Sequence, residues 1–301
     1  MKGKEGLNLN KNREVAMKGF NENRKFGVEI EFLHNVGREA IINELARIGI
    51  ECTSEGYNHI TREHWKIVQD GSVHGNTTFS DELVSPPLKG KEGLEELKKV
   101  MEVMNRIGAV NKTCSIHVHH DIHDYNGNDL FRAVWLYTAY EETIDTLFPE
   151  SRRADNNYYC GSLKTKMNVH RFRNYYEQHK NKQTLNKFEV NNLFNYDRYV
   201  KLNLKSIVDH GTLEFRQHAG SLEFEKIYNW ILLSQRIVEI CKTPIHVRGG
   251  VEDNWNNLKY QLKMYKSFGA DNETQAMAKW WNRRRIDLDK SLETRGRRRG
   301  A

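Results

Sequence analysis

Cysteine is scarce and scattered, with four residues at 52, 114, 160 and 241. No Cys-x-x-Cys pair occurs, which excludes a zinc knuckle or a thioredoxin-type redox centre. A chain of 301 residues does not need a disulfide scaffold, and a reducing cytoplasm is the expected setting. Nothing approaches ~18 consecutive apolar residues, so no membrane span is expected. The start of the chain lacks the apolar core of a signal peptide. Also missing are a P-loop (GxxxxGKS/T), a Rossmann glycine pattern and a GxSxG elbow. Any nucleotide is therefore held by other means, and no serine-elbow acyl-enzyme is expected.

What is present suits a folded, nucleotide-compatible protein. Apolar residues make up 38%, with 6 Trp, 13 Tyr and 12 Phe, which argues against disorder. Net charge is +7, from 47 Lys+Arg against 40 Asp+Glu, which suits an anionic partner. Basic charge crowds the end of the chain, at Arg283, Arg284, Arg285, Arg295, Arg297, Arg298 and Arg299. A solvated, frayed tail accounts for that run, and a nucleic-acid anchor is the alternative.

Three triplets stand out: Glu29-Ile30-Glu31, His117-Val118-His119 and Glu214-Phe215-Arg216. Each sits in a stretch of alternating character, and alternate residues of a strand share a face. The pattern predicts strands over Phe26–Leu33, Cys114–Ile122 and Gly211–His218, the last with Thr212, Glu214, Arg216 and His218 on one face. Further strands are expected over Trp65–Asp70, Glu82–Ser85 and Tyr199–Ser206. Helical spacing predicts helices over Arg38–Ile48, Lys91–Ile107 and Asp129–Phe148, and one capped by Ser221 and ending near Lys242. Residues 151–195, rich in Asn, Tyr, Arg and Lys, read as irregular with room for helical stretches. The expected architecture is α+β with a mainly antiparallel sheet. The domain reading is a polar leader over 1–25, a catalytic domain over 26–245 and a basic, helical extension over 246–301.

Carboxylates gathered on one sheet face repel one another, and without a cation at least one is protonated. Glu29, Glu31, Glu82 and Glu214 therefore suggest bound Mg2+, and a histidine among them makes Mn2+ acceptable. Arg216 is placed to hold a phosphate with forked hydrogen bonds. Taken singly, a Glu-x-Glu pair describes a solvated strand; only the conjunction points to phosphoryl transfer. The His-x-His-x-Asp-His motif of metallo-β-lactamase-type hydrolases is incomplete, because Ile122 stands at its last position.

In order along the chain come Gly27–Phe32, Asp70-Gly71-Ser72, Glu82–Leu88, Asn111–His119, Arg152-Arg153 with Tyr159-Cys160, Tyr199 with Asn203, and Thr212–His218. With these segments the chain resembles the amidoligase enzymes of the carboxylate–amine ligase superfamily, relatives of glutamine synthetase and glutamate–cysteine ligase. The resemblance covers roughly residues 26–242. It implies ATP-dependent amide formation through an acyl phosphate, from a small-molecule or peptide carboxylate and an amine. It also implies a curved antiparallel sheet of the glutamine-synthetase catalytic type, with helices on its outer face. By the same resemblance, Glu29 and Glu31 each contact a metal and so span two, with Glu82 completing one site and His117 and Glu214 completing the other. Arg216 steadies the phosphoryl group. His119 either binds metal or sits beside the nucleotide. Arg152, Arg153 and Asn203 are nucleotide-side candidates, and Asp70 either orients an amine or supports the site. Cys114-Ser115 departs from the family's Cys-Gly or Ser-Gly, adding a side chain to the site face. Two rival functions are a metal-dependent hydrolase built on His117 and His119, and a non-catalytic nucleic-acid binder using the basic C-terminus.

Overall fold

The computed structural model describes residues 20–166, 168–179, 198–244 and 254–299. Eight strands form one sheet: β1 (Lys25–His34), β2 (Cys52–Ser54), β3 (Trp65–Gln69), β4 (Phe79–Val84), β5 (Leu88–Lys89), β6 (Ser115–Asp121), β7 (Leu202–Asn203) and β8 (Thr212–Ala219). The order across the sheet is β2-β3-β4-β1-β6-β8-β7, with β5 extending the β4 edge of β1. Only β2 and β3 run parallel; the other pairs are antiparallel. The sheet is open, and Pro86-Pro87 interrupt the ladder between β4 and β5, where a missing N–H cannot pair.

Ten α-helices lie among the described residues: α1 (Arg38–Arg47), α2 (Gly90–Ile107), α3 (Gly127–Ala139), α4 (Glu141–Asp145), α5 (Leu163–Lys166), α6 (Val169–His179), α7 (Ser206–His210), α8 (Phe224–Cys241), α9 (Trp255–Gln261) and α10 (Asn272–Arg299). The protein is thus a mixed α and β molecule with a mostly antiparallel sheet. The alternation of β1 turns Val28, Ile30 and Phe32 into the core with Ile116, Val118 and Phe215 of the neighbouring strands. Helices α2 and α8 cover that apolar face, with Leu97, Val100, Met101 and Met104 from α2 and Trp230, Ile231 and Leu233 from α8 buried against it. The opposite face carries Glu29, Glu31, His117 and His119.

Several expected elements differ. The helix expected over Asp129–Phe148 breaks at Tyr140, whose backbone leaves helical geometry. The break lets α4 present Glu141 and Asp145 to the buried Lys201, 2.8 and 2.6 Å from its Nζ. The strand expected over Tyr199–Ser206 shrinks to two residues. There the Asn203 Oδ1 accepts from the Lys205 N–H at 2.8 Å, and Ser206 Oγ donates to Asn203 and Thr212 carbonyls. Such local bonds compete with the ladder and turn the chain into α7. Gly211 ends α7 at φ +70°, a conformation that suits glycine. Ser221 accepts from the Glu223 N–H at 3.2 Å ahead of α8 rather than capping it directly.

His218 does not share the face of Glu214 and Arg216. The pairing of β6 with β8 shifts register between Ile116 and Val118, so His117 lies against both Arg216 and Gln217. This bulge reverses the alternation. His218 lands on the helix side, its ring 5.5 Å from Phe148 and 6.2 Å from Trp230.

Residues 1–19 of the expected leader lie outside the described residues. Its last part is built in: Asn21 donates to Glu239 at 2.8 Å, and buried Arg24 pairs with Glu239 and Asp124. From the expected C-terminal extension, Trp255, Leu258, Leu262, Met277 and Trp281 join the main core. No helix among the described residues is long and apolar enough to cross a membrane.

Candidate active site

The polar face of the sheet forms the wall of a cavity of about 740 Å³. Strand register alone brings the triplets together. Glu29 lies opposite His117 across β1 and β6, Glu31 opposite Glu82 across β1 and β4, and His119 opposite Glu214 across β6 and β8. Because all are at even spacing on their strands, their heads converge on one side.

The contacts are tight. His117 Nδ1 is 2.9 Å from Glu29 Oε2 and 3.6 Å from Glu214 Oε1, and its Nε2 is 3.6 Å from Glu31. His119 Nε2 lies 3.4 Å from Glu29 and 4.0 Å from Glu214, while its Nδ1 faces Thr212 Oγ1 at 2.9 Å. Arg216 donates to Glu214 Oε1, and Asn203 donates to Glu214 Oε2. The Ser115 N–H donates to Glu31 Oε2 at 2.7 Å, and Ser115 Oγ is 3.1 Å from His117 Nε2. The Ser115 side chain is thus tucked against a histidine of the site.

Electrostatics follow from this crowding. Burial would raise Glu29, but His119 and His117 outweigh it and hold its carboxyl well below the usual range. Glu82 goes the other way, pushed well up by burial and by repulsion from Glu29, Glu31 and Asp70. Burial would raise Glu214 too, and Arg216 and His119 reverse it. His119 is raised, because Glu29 and Glu214 overcome its burial.

The donor set fits divalent cations. Three overlapping groups place one ligand atom from each residue within 4.8 Å of the others: Glu31, Asp70 and Glu82; Glu29, Glu82 and His117; Glu29, His119 and Glu214. Carboxylate oxygens with one imidazole suit Mg2+ or Mn2+. The geometry groups Glu214 with His119, and His117 with Glu82. It also adds Asp70, whose Oδ1 accepts from the N–H and Oγ of Ser72, both at 2.6 Å.

A family model described as "Putative amidoligase enzyme" matches residues 22–238. The chain belongs to the amidoligase family. That description is of a ligase. A comparison with curated proteins found no match.

Most residues singled out from the sequence meet at this amidoligase cavity: Glu29, Glu31, Asp70, Glu82, His117, His119 and Arg216 all line it. Glu214 and Asn203 are buried just behind. The structure does not bring Arg152 and Arg153 there. Arg152 is buried and donates to the Cys114 carbonyl, and Arg153 donates to the Phe148 carbonyl at 2.8 Å and lies 4.0 Å from Asp289 of α10. The turn that carries them packs on the core rather than the cavity. Cys160 is buried, and its burial pushes the thiol up to about 11, which suits packing and not nucleophilic attack. Sequence reading missed the cavity residues Lys66, Arg198 and His210. Lys66 had a signal: it alternates with Val68 and Asp70, so it shares their face.

Proposed function

We propose that this amidoligase is an ATP- and Mg2+-dependent carboxylate–amine ligase that works through an acyl phosphate. The observation that carries this reading is the set of overlapping carboxylate–histidine groups on one cavity wall, with Arg216 beside them. A carboxylate oxygen of the acid attacks the γ-phosphorus of ATP, and ADP leaves. The amine nitrogen then attacks the acyl carbon, phosphate departs with the C–O electron pair, and the nitrogen loses a proton. Glu29, Glu31, Glu82, His117, His119 and Glu214 would hold divalent cations, which would supply charge neutralisation for the phosphates. Arg216 stays charged, because Glu214 outweighs its burial, and its fork receives the transferred phosphoryl oxygens. Asn203 and Arg216 fix the two oxygens of Glu214. Asp70, anchored by Ser72, contributes to a cation group or faces the incoming amine. We read the sheet as the glutamine-synthetase-like catalytic sheet, in support of which helices α2 and α8 sit on the face opposite the cavity, and residues 26–245 as the catalytic domain.

The test is isotopic. A panel of carboxylates carrying 18O, with amines and Mg-ATP, is expected to give amide, ADP and phosphate containing one 18O. Amide formation without label transfer removes the acyl phosphate. If the protein neither releases ADP nor binds Mg-nucleotide, the ligase reading ends.

A further inference from the structure

Among the described residues, two lysines are buried almost completely, and they are treated very differently. Lys201 is 0% exposed and meets Glu141 and Asp145 at 2.8 and 2.6 Å. It is a satisfied structural cation. Lys66 is 3% exposed, yet among the described residues no carboxylate lies within ion-pair distance of its Nζ. Its acceptors are neutral: Asn58 Oδ1 at 2.8 Å, the Ile60 carbonyl at 2.8 Å and the Asn58 carbonyl at 3.4 Å. Burial pulls its pKa down, and Glu55, Glu29 and Glu82 oppose this only in part. A desolvated ammonium without a counter-ion is costly to keep.

Its position explains the cost. Lys66 pairs with Val84, Val84 with Glu29, and Glu29 with His117, which lies against Arg216 at the bulge. One row across the sheet therefore reads Lys66, Val84, Glu29, His117, Arg216. At about 4.8 Å per strand, the backbones of Lys66 and Arg216 each stand two strands, about 10 Å, from that of Glu29, on opposite sides. Lys66 and Arg216 both line the cavity. The residues that now satisfy Lys66 belong to the segment Glu55–Arg62, from which Tyr57, Asn58, Ile60 and Thr61 also line the cavity. Hydrogen bonds from an ammonium to an ionised acceptor are stronger than those to neutral ones, which favours an anion over these acceptors.

Resting on the ligase reading above, we propose that Lys66 is the receptor for a second oxyanion on the acid substrate, a carboxylate other than the one activated. Arg216 serves the phosphoryl end of the row and Lys66 the far end of the acid. The preferred acid is then a dicarboxylate rather than a simple monocarboxylate. Asn58 and the Ile60 carbonyl hold the ammonium until the substrate arrives.

The experiment measures binding by calorimetry on the full chain. Mg-AMPPNP is titrated first; succinate, glutarate and adipate, then butyrate and valerate, are titrated into the Mg-AMPPNP complex. Wild type is expected to bind at least one dicarboxylate tenfold or more tightly than the monocarboxylates. Lys66→Met, which keeps the apolar stem, should lose that preference while binding Mg-AMPPNP as wild type does. Lys66→Arg should keep the preference within a few-fold. If Lys66→Met weakens mono- and dicarboxylates equally, the lysine only braces the segment 55–62 and the proposal falls. If it weakens Mg-AMPPNP instead, the anion is a nucleotide phosphate and the proposal falls. It also falls if wild type binds Mg-AMPPNP and shows no dicarboxylate preference. Failure of wild type to bind Mg-AMPPNP at all is a different result, and it overturns the ligase reading on which the proposal stands.

Discussion

At the residue scale, the site depends on carboxylates that balance one another through histidines and an arginine. Glu29 and Glu214 each belong to a group whose geometry could hold a cation, and Glu29 belongs to two. Replacing either by Gln keeps shape and removes a charge. Each of Glu29→Gln and Glu214→Gln is expected to weaken Mg-nucleotide binding by on the order of 100-fold, since even supporting residues of metal sites are worth 10–100-fold. Circular dichroism should show the fold intact; full binding by both variants would remove these residues from the site. His218 provides a pH signature away from the cavity. Burial pushes it down to about 3, against about 6.5 in an unfolded chain. Below pH ~6.5 the unfolded state takes up a proton that the folded state refuses. The neutral histidine's contribution is therefore present above pH ~6.5 and is lost as pH falls toward 3, by about 1.4 kcal/mol per pH unit. Urea unfolding of His218→Gln should show a slope shallower by one proton between pH 6.5 and 4. An unchanged slope would mean that His218 is reachable by solvent.

At the element scale, the triplets were legible because strands have a period of two. Glu29 and Glu31, His117 and His119, and Glu214 and Arg216 each share a face as the spacing requires. His218 failed the same rule, because a bulge is set by the pairing of two strands and leaves no mark in either one. The break at Tyr140 was equally hidden. Nothing within Asp129–Phe148 signals it; its benefit is to bring Glu141 and Asp145 to Lys201, some sixty residues away. That buried cluster gives a direct prediction. Lys201→Met is expected to destabilise the protein by about 3–5 kcal/mol, because it strands two carboxylates in the interior. Chemical denaturation at pH 7 measures it, and a loss under about 1 kcal/mol would show that the carboxylates relax to solvent.

At the scale of the whole molecule, the two ends of the described chain are tied to the same helix. Arg24 pairs with Glu239 of α8. Trp281 of α10 packs in a cluster with Trp230 of α8 and Phe148, with ring centroids 6.1 and 5.7 Å away. Trp281→Ala is expected to cost about 3–5 kcal/mol, read as a lowered urea midpoint. A midpoint unchanged from wild type would mean that α10 is dispensable to the core. Adding Mg2+ and AMPPNP should stabilise the whole protein by about 2.7 kcal/mol at a hundred times the dissociation constant, a rise in Tm of a few degrees. No shift, with binding excluded by calorimetry, would remove the nucleotide from the site.

The sequence by itself determined the polar face, the residues of β1, β4, β6 and β8 that meet at the cavity, and the family, because period-two alternation and short ordered motifs are local properties. It could not decide which histidine meets which carboxylate, that Arg152 and Arg153 lie outside the cavity lining, or that Lys66 stands in line with Glu29. Those follow from strand register, a bulge and the burial of a cation without its counter-ion, and each exists only once distant segments have been brought side by side.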